Sequence, residues 1–191
     1  MNERVRKPLY QPERPSAAAL PHAGNPASLL ETLYRNVWET SMHDMPFVNR
    51  ALTVRASGFR RHDGDWVGAV ITPWFLNLFV LPGGGALWSD LGSGERARVA
   101  FPVGELEFIA DYQPDGAVPA YLYCPLFAPV NQFATQEAAE AAASAALDAL
   151  FVPPPVPEAE AADAAPVTDI PAEAPVPARR AFFRRVAGQS R

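Results

Sequence analysis

Trp66 to Gly85 reads WVGAVITPWFLNLFVLPGGG, a run without a single charge. Three structures compete for it: a membrane span, a buried helix, or two core strands meeting at a corner. A spanning helix needs about 20 uninterrupted apolar residues. Here Thr72-Pro73 breaks the run near its middle and Asn77 adds a polar amide. A proline inside a helix removes one hydrogen bond and clashes with the preceding turn, at about 3 kcal/mol. It also drives the residue before it toward extended geometry. The remaining Val, Ile, Trp and Phe suit strands. The stretch therefore predicts strands at 65–72 and 74–81 joined at Thr72-Pro73, with Pro82-Gly83-Gly84-Gly85 ending the second.

Upstream, Leu52 to Arg61 faces Asp65 to Thr72 across Asp63-Gly64, a two-residue hairpin signal. That turn predicts Ala56 opposite Ile71 and Phe59 opposite Gly68, with Val54, Ala56, Val67, Ala69 and Ile71 on one core face. Phe75, Asn77, Phe79 and Leu81 alternate with Leu76, Leu78 and Val80. Both faces of this strand are apolar, so both are covered or one is a docking surface. Further upstream, Ser28 and Glu31 form a capping-box pattern. Leu30, Leu33, Tyr34, Val37 and Ser41 then follow helical spacing, widened by Trp38 and Met42. This helix should end before Met45-Pro46.

Downstream, strands are expected at Arg98–Pro102, Glu105–Tyr112 and Ala120–Phe127, with Pro125 marking an edge or a bulge. Asn131 is the expected N-cap of a second helix over 132–151, buried through Ala139, Ala143, Ala146, Leu147 and Leu150. The fold class is α+β: a mainly antiparallel sheet of five to six strands, flanked by an N-terminal and a C-terminal helix, with disordered tails. The expected organisation is a mobile tail at 1–25, a body at 26–151, a Pro/Ala/acidic disordered linker at 152–178 and a basic tail at 179–191. The linker holds eight prolines and five acidic residues with no Lys or Arg, too little apolar surface to offset its ordering entropy.

With 191 residues, one ordinary domain plus tails is allowed. A net charge of −5 argues against general nucleic-acid binding. The N-terminal Arg4, Arg6 and Lys7 are followed by Pro-rich sequence rather than an apolar segment, so no secretory signal is read there. A cytoplasmic protein without stable membrane insertion is expected. The single cysteine, Cys124, rules out an internal disulfide or an all-cysteine metal site.

Little in the sequence points to catalysis. Gly83-Gly84-Gly85 lacks the spacing and the Lys-Ser/Thr of a phosphate loop and reads as a turn. Cys124 with His43 or His62 is one nucleophile-and-base combination; an inert buried thiol is the simpler account. His22 is read as solvated. His43-Asp44 and His62-Asp63-Asp65 lack metal-ligand spacing, and no metal or cofactor is assigned. Trp74 beside a proline at a corner is harder to explain by core packing than Phe75 or Leu76. Trp, Phe and Met around a polar amide also suit a peptide groove. The candidate client-binding residues are Pro46, Phe47, Asn49, Trp74, Phe75, Asn77 and Trp88.

The same residues carry a resemblance. Leu33-Tyr34-Arg35, Met45 through Asn49, Gly58-Phe59-Arg60, Trp66-Val67-Gly68, Thr72 through Leu78, Leu81-Pro82-Gly83 and Gly94-Glu95 resemble the HybE-type [NiFe]-hydrogenase assembly chaperones. Cys124 through Phe127, Phe133 and the alanine-rich helix extend it, so it covers about residues 28–151. The Thr-Pro-Trp-Phe-Leu-Asn run is its specific part. Some relatives carry a rubredoxin module with paired CxxC motifs; this chain has none. The resemblance implies a non-enzymatic maturation chaperone. Its expected partner is the hydrogenase small-subunit precursor with its twin-arginine leader, whose export it delays until the cofactors are assembled. The large subunit and other maturation factors are further expected partners.

Ala178-Arg179-Arg180-Ala181-Phe182-Phe183-Arg184 is similar to the leader pattern Ser/Thr-Arg-Arg-x-Phe-Leu-Lys, departing at Ala178 and Phe183. Arg179, Arg180, Phe182, Phe183 and Arg184 are accordingly expected to form a leader-mimic tail able to occupy the client site. Two other classes remain open: a small thiol-dependent enzyme using Cys124, and a membrane-surface adaptor acting through the Arg/Phe tail.

Overall fold

A computed structural model of the chain describes residues 18–153. Helix α1 (Ala27–Val37) continues into a π-helical turn (Trp38–Met42). Six strands follow: β1 (Arg55–His62), β2 (Asp65–Ile71), β3 (Leu76–Leu81), β4 (Arg96–Phe101), β5 (Gly104–Tyr112) and β6 (Ala120–Phe127); helix α2 (Gln136–Leu150) comes last. The sheet order is β1-β2-β3-β6-β5-β4 and every neighbouring pair is antiparallel. The uncharged stretch thus forms two central strands turned at Thr72-Pro73.

The two faces carry separate cores. Val67, Ala69, Ile71, Leu76, Leu78 and Val80 point to the α2 side, joined by Leu122, Cys124 and the small stripe Ala139, Ala143 and Ala146. Alanines there let α2 approach the sheet closely. Val70, Phe79, Leu81 and Tyr121 point to the other side, under Leu30 and Tyr34 of α1. Both faces of β3 are covered because each has its own helix.

Four local expectations are corrected. The capping box does not form. Pro26, which lacks an N–H, is the N-cap of α1, and Asn25 Oδ1 accepts from Ala27 N–H at 3.0 Å. Ser28 then lies inside the helix. Glu31 instead accepts from the Ala56 N–H of β1 at 3.0 Å and pairs with Arg35 at 2.6 Å.

The hairpin register is also displaced. Asp63 and Gly64 form the turn with positive φ, but a bulge between Ser57 and Arg60 puts Arg55, not Ala56, opposite Ile71. Gly58 at φ +64 is the extra residue. The bulge moves Val54 and Ala56 to the α1 side, away from Val67, Ala69 and Ile71.

Pro125 is at a bulge but not at an edge, since β6 lies between β3 and β5. Helix α2 starts at Thr135 rather than Asn131; the Thr135 hydroxyl accepts from Ala138 N–H at 3.2 Å. Part of the stretch read as a mobile N-terminal tail is tied down as well. The His22 carbonyl accepts from the Trp66 indole at 2.9 Å and from Arg61 at 3.1 Å, and His22 N–H donates to Pro82.

Candidate functional site

The corner at Thr72 sets the site. The buried Thr72 hydroxyl accepts from the N–H groups of Trp74 and Phe75 at 3.2 and 2.9 Å. Thr72 N–H donates to the Phe75 carbonyl at 2.8 Å. This closed turn presents Trp74 on the α1 side, where its ring lies parallel to Trp38, with centroids 6.2 Å apart and planes 7° apart. Tyr34 meets Trp74, Phe75 and Phe79 edge-on, at 6.4, 5.1 and 6.0 Å. Such offset and edge contacts are the favoured aromatic geometries.

The four tryptophans divide into two kinds. The indole N–H of Trp66 is bound by His22 and that of Trp88 by Asp90. Those of Trp38 and Trp74, both half-buried, have no partner among the described residues.

Beside this aromatic wall the sheet is open. Helix α1 packs over β1 and β2, and no described helix covers the same face of β6, β5 and β4. Asn77 faces that side, 5% exposed, and its Oδ1 is buried without a hydrogen-bond partner. An orphaned buried acceptor costs about 1–3 kcal/mol. Asn77 pairs with Pro125 across β6. The β5–β6 ladder ends at Ile109–Tyr123, and Glu107 lies two residues further along β5 on the same face. The result is a trough: a wall of Trp38, Trp74 and Tyr34 and a floor of Pro125 and Tyr123, with the buried Asn77 amide beneath them and Glu107 beyond.

A polar chain runs beneath one end. The Tyr34 and Tyr121 hydroxyls lie 3.2 Å apart, Tyr121 donates to Asp111 at 2.6 Å, and Ser93 donates to Asp111 at 3.3 Å. Burial drives the Tyr34 and Tyr121 phenols well above their usual range, with the mutual Tyr34–Tyr121 charge adding to the Tyr121 shift. Tyr123 is raised more modestly, by burial and then by Asp111.

The residues proposed from sequence separate here. Trp74, Phe75 and Asn77 share the trough. Pro46 and Phe47 are exposed on a connector that runs from His43, whose ring meets Trp38, to Asn49, whose N–H binds the Pro73 carbonyl at 2.7 Å. The Asn49 side chain is occupied internally: its Nδ2 donates to the Val130 and Phe133 carbonyls and its Oδ1 accepts from Ala51 N–H. Trp88 packs against the α2-side core, away from Trp74. Arg179, Arg180, Phe182, Phe183 and Arg184 lie outside the described residues.

Sequence reasoning gave Trp38 only a place in a helical stripe, gave Tyr121 and Tyr123 no role, and offered Asp111 only as an unplaced acidic partner for the tail arginines. The alternation of β5 and β6 carried the signal, but only strand order shows that Tyr121 and Tyr123 adjoin Phe79.

Other candidate chemistry is placed elsewhere. Cys124 is 3% exposed on the α2 side. His43 contacts Asp44, while His62 packs against Phe101 and Phe151. No group of metal-ligating side chains occurs among the described residues, and no described helix is long and apolar enough to cross a membrane.

Comparison with known proteins finds relatives of the chain. A family model described as "[NiFe]-hydrogenase assembly, chaperone, HybE" matches residues 25–185. The hydrogenase expression/formation protein HupJ of Bradyrhizobium diazoefficiens is 43% identical over 126 residues, covering 65% of this chain and 71% of that protein. A probable rubredoxin HupJ of Rhodobacter capsulatus is 39% identical over 124 residues, which is 65% of this chain but 44% of the relative. The chain thus spans less than half the length of that relative. The solution structure of HybE from Escherichia coli superposes with a TM-score of 0.57 at 25% identity, covering 81% of this chain and 96% of that one.

Proposed function

The chain belongs to the HybE family of [NiFe]-hydrogenase assembly chaperones, and from that premise we propose that the trough beside Trp74 holds the hydrogenase small-subunit precursor. In this reading the bound segment is the precursor's twin-arginine leader, held in the cytoplasm until cofactor assembly is complete. The work is differential binding, with no bond made or broken by the chaperone.

One observation carries the proposal. Trp38 and Trp74 present stacked faces, and N–H groups without a partner among the described residues, on the sheet face where the buried Asn77 oxygen also lacks a donor. An aromatic wall with a few polar groups at fixed positions is how clefts hold extended chains. Phe47, 48% exposed on the adjoining connector, would extend the apolar contact. A leader bearing arginines supplies flat cations for the indole faces.

The test is titration of the small-subunit precursor, with and without its leader, into the purified chain. Binding that depends on the leader, and that weakens on replacing Trp74, supports the reading. Equal binding of the leaderless subunit would remove the leader from it.

A further inference from the structure

Charge is divided unevenly along the chain. Residues 18–153 contain seven arginines and no lysine against fourteen aspartates and glutamates. Beyond them, residues 179–185 read RRAFFRR: four cations, two phenylalanines and no acid. The two parts are opposite in charge and share an aromatic character.

We propose that residues 179–185 dock in the trough formed by Trp38, Trp74, Asn77, Tyr123 and Glu107, so that the free chaperone occupies its own client site. The inference rests on that trough being a binding face, as proposed above, and adds the means by which access to it is regulated.

Three features of the trough select this occupant. The Asn77 Oδ1 is buried and without a donor, so a guanidinium, which offers five, would meet it only on a shift of the side chains that cover it. The parallel Trp38 and Trp74 rings offer faces that attract arginine. The far edge carries both signs: Glu105 is exposed and unpaired among the described residues, while Glu107 pairs with Arg96 and faces Arg98 across β4. Phe182 and Phe183 match the half-buried Tyr123 and Phe75, which lie on the same face as Phe79.

Reach is not limiting. Twenty-eight residues separate Leu150, the end of α2, from Arg179. Even extended linkers advance only about 3.1 Å per residue, but that gives roughly 90 Å, several times the radius of a body this size. A tether of this length holds its end at an effective concentration on the order of 1 mM. A tail with an intrinsic Kd of about 0.1 mM would then occupy the trough most of the time and weaken any competitor about 10-fold. Ionic strength weakens this occupancy, because its exposed charge pairs are screened.

The experiment compares the full chain with one ending at Ala178, which keeps every described residue. The readouts are the indole N–H resonances of Trp38 and Trp74 in nitrogen-15-labelled protein. The inference expects both to move on truncation and to return when a synthetic peptide of residues 179–191 is added. Phe182→Ala with Phe183→Ala in the full chain should reproduce the truncated spectrum. A leader peptide should bind the truncated chain about 10-fold tighter than the full chain.

Superposable Trp38 and Trp74 resonances in the two chains, unmoved by the 179–191 peptide, would overturn the inference even if a leader peptide moves them. The opposite pattern, movement by the tail peptide but not by the leader, keeps the inference and removes the leader reading. Differences between full and truncated chains that vanish on dilution place the tail on a second copy and overturn self-occupancy.

Discussion

The Asp65 carboxylate accepts a hydrogen bond from the Gly85 backbone N–H at 2.9 Å, and this contact explains a glycine run that resembles a phosphate loop. The same carboxylate accepts from Gly83, Leu87 and Trp88, at 2.7, 2.9 and 2.9 Å. The loop is an anion cradle filled by the protein's own buried carboxylate. Glycine is required because a Cβ at Gly85 would collide with the Asp63 carbonyl. Asp65→Ala strands four backbone donors and should destabilise the fold by at least about 3 kcal/mol. Asp65→Asn should also lose stability, because its amide turns two donors toward other donors. Urea denaturation checks both; wild-type stability in either variant would refute the account.

The bulge at Gly58 makes a second prediction. Its φ of +64 is left-handed, and a Cβ there would overlap Leu147 Cδ1 of α2. Gly58→Ala should cost about 1–3 kcal/mol. Leu147→Ala alone opens a cavity and costs about 2–5 kcal/mol. Because the two changes meet at one contact, the double variant should be less destabilised than their sum. Strict additivity in chemical denaturation would show that strain at Gly58 is purely in its backbone.

How much could be read beforehand depends on which signals were local. The Thr72-Pro73 corner, the Asp63-Gly64 turn and the alanine stripe of α2 each declare themselves within a few residues. The Gly58 bulge does not, because an inserted residue leaves a two-residue turn unchanged and alters only the register beyond it. The internal bonding of Asn49 is hidden for a similar reason. An amide beside aromatic residues looks available until the carbonyls of Val130 and Phe133, more than eighty positions away, are seen to hold it. The trough itself needs the β3-β6-β5 order, which no run of residues encodes by itself.

The buried tyrosines predict an alkaline limit. Tyr34 and Tyr121 have phenols raised above the unfolded value near 10. The folded state therefore binds more protons than the unfolded state at high pH. Their contribution is fully present below about pH 10 and is lost as pH rises toward the folded values. Unfolding free energy should be flat with respect to these groups at neutral pH and fall above pH 10, with tyrosinate absorbance appearing together with unfolding. Tyr121→Phe should flatten that fall. At neutral pH it should cost about 1–3 kcal/mol, since Asp111 loses a buried donor. Tyrosinate forming in the native state well before unfolding would contradict this.

Trp38 and Trp74 offer the sharpest separation of stability from binding. Both rings are half-buried and contact each other, so truncating either removes a stacking term of about 0.5–1.5 kcal/mol besides its own burial. Folding should survive, because the sheet beneath is closed by Tyr34, Leu30 and Phe79. Binding should suffer more: a central aromatic anchor commonly contributes 2 kcal/mol or more, about 30-fold in affinity. Trp74→Ala and Trp38→Ala are therefore expected to lower precursor affinity at least 10-fold. The double variant should lose less than the product of the two, since either ring alone leaves half of a shared surface. Trp88→Ala, on the opposite face of the sheet, is the control and should leave affinity unchanged. Calorimetric titration with each variant, beside its thermal midpoint, decides the matter. A Trp88 effect equal to that of Trp74 would move the client to the α2 side.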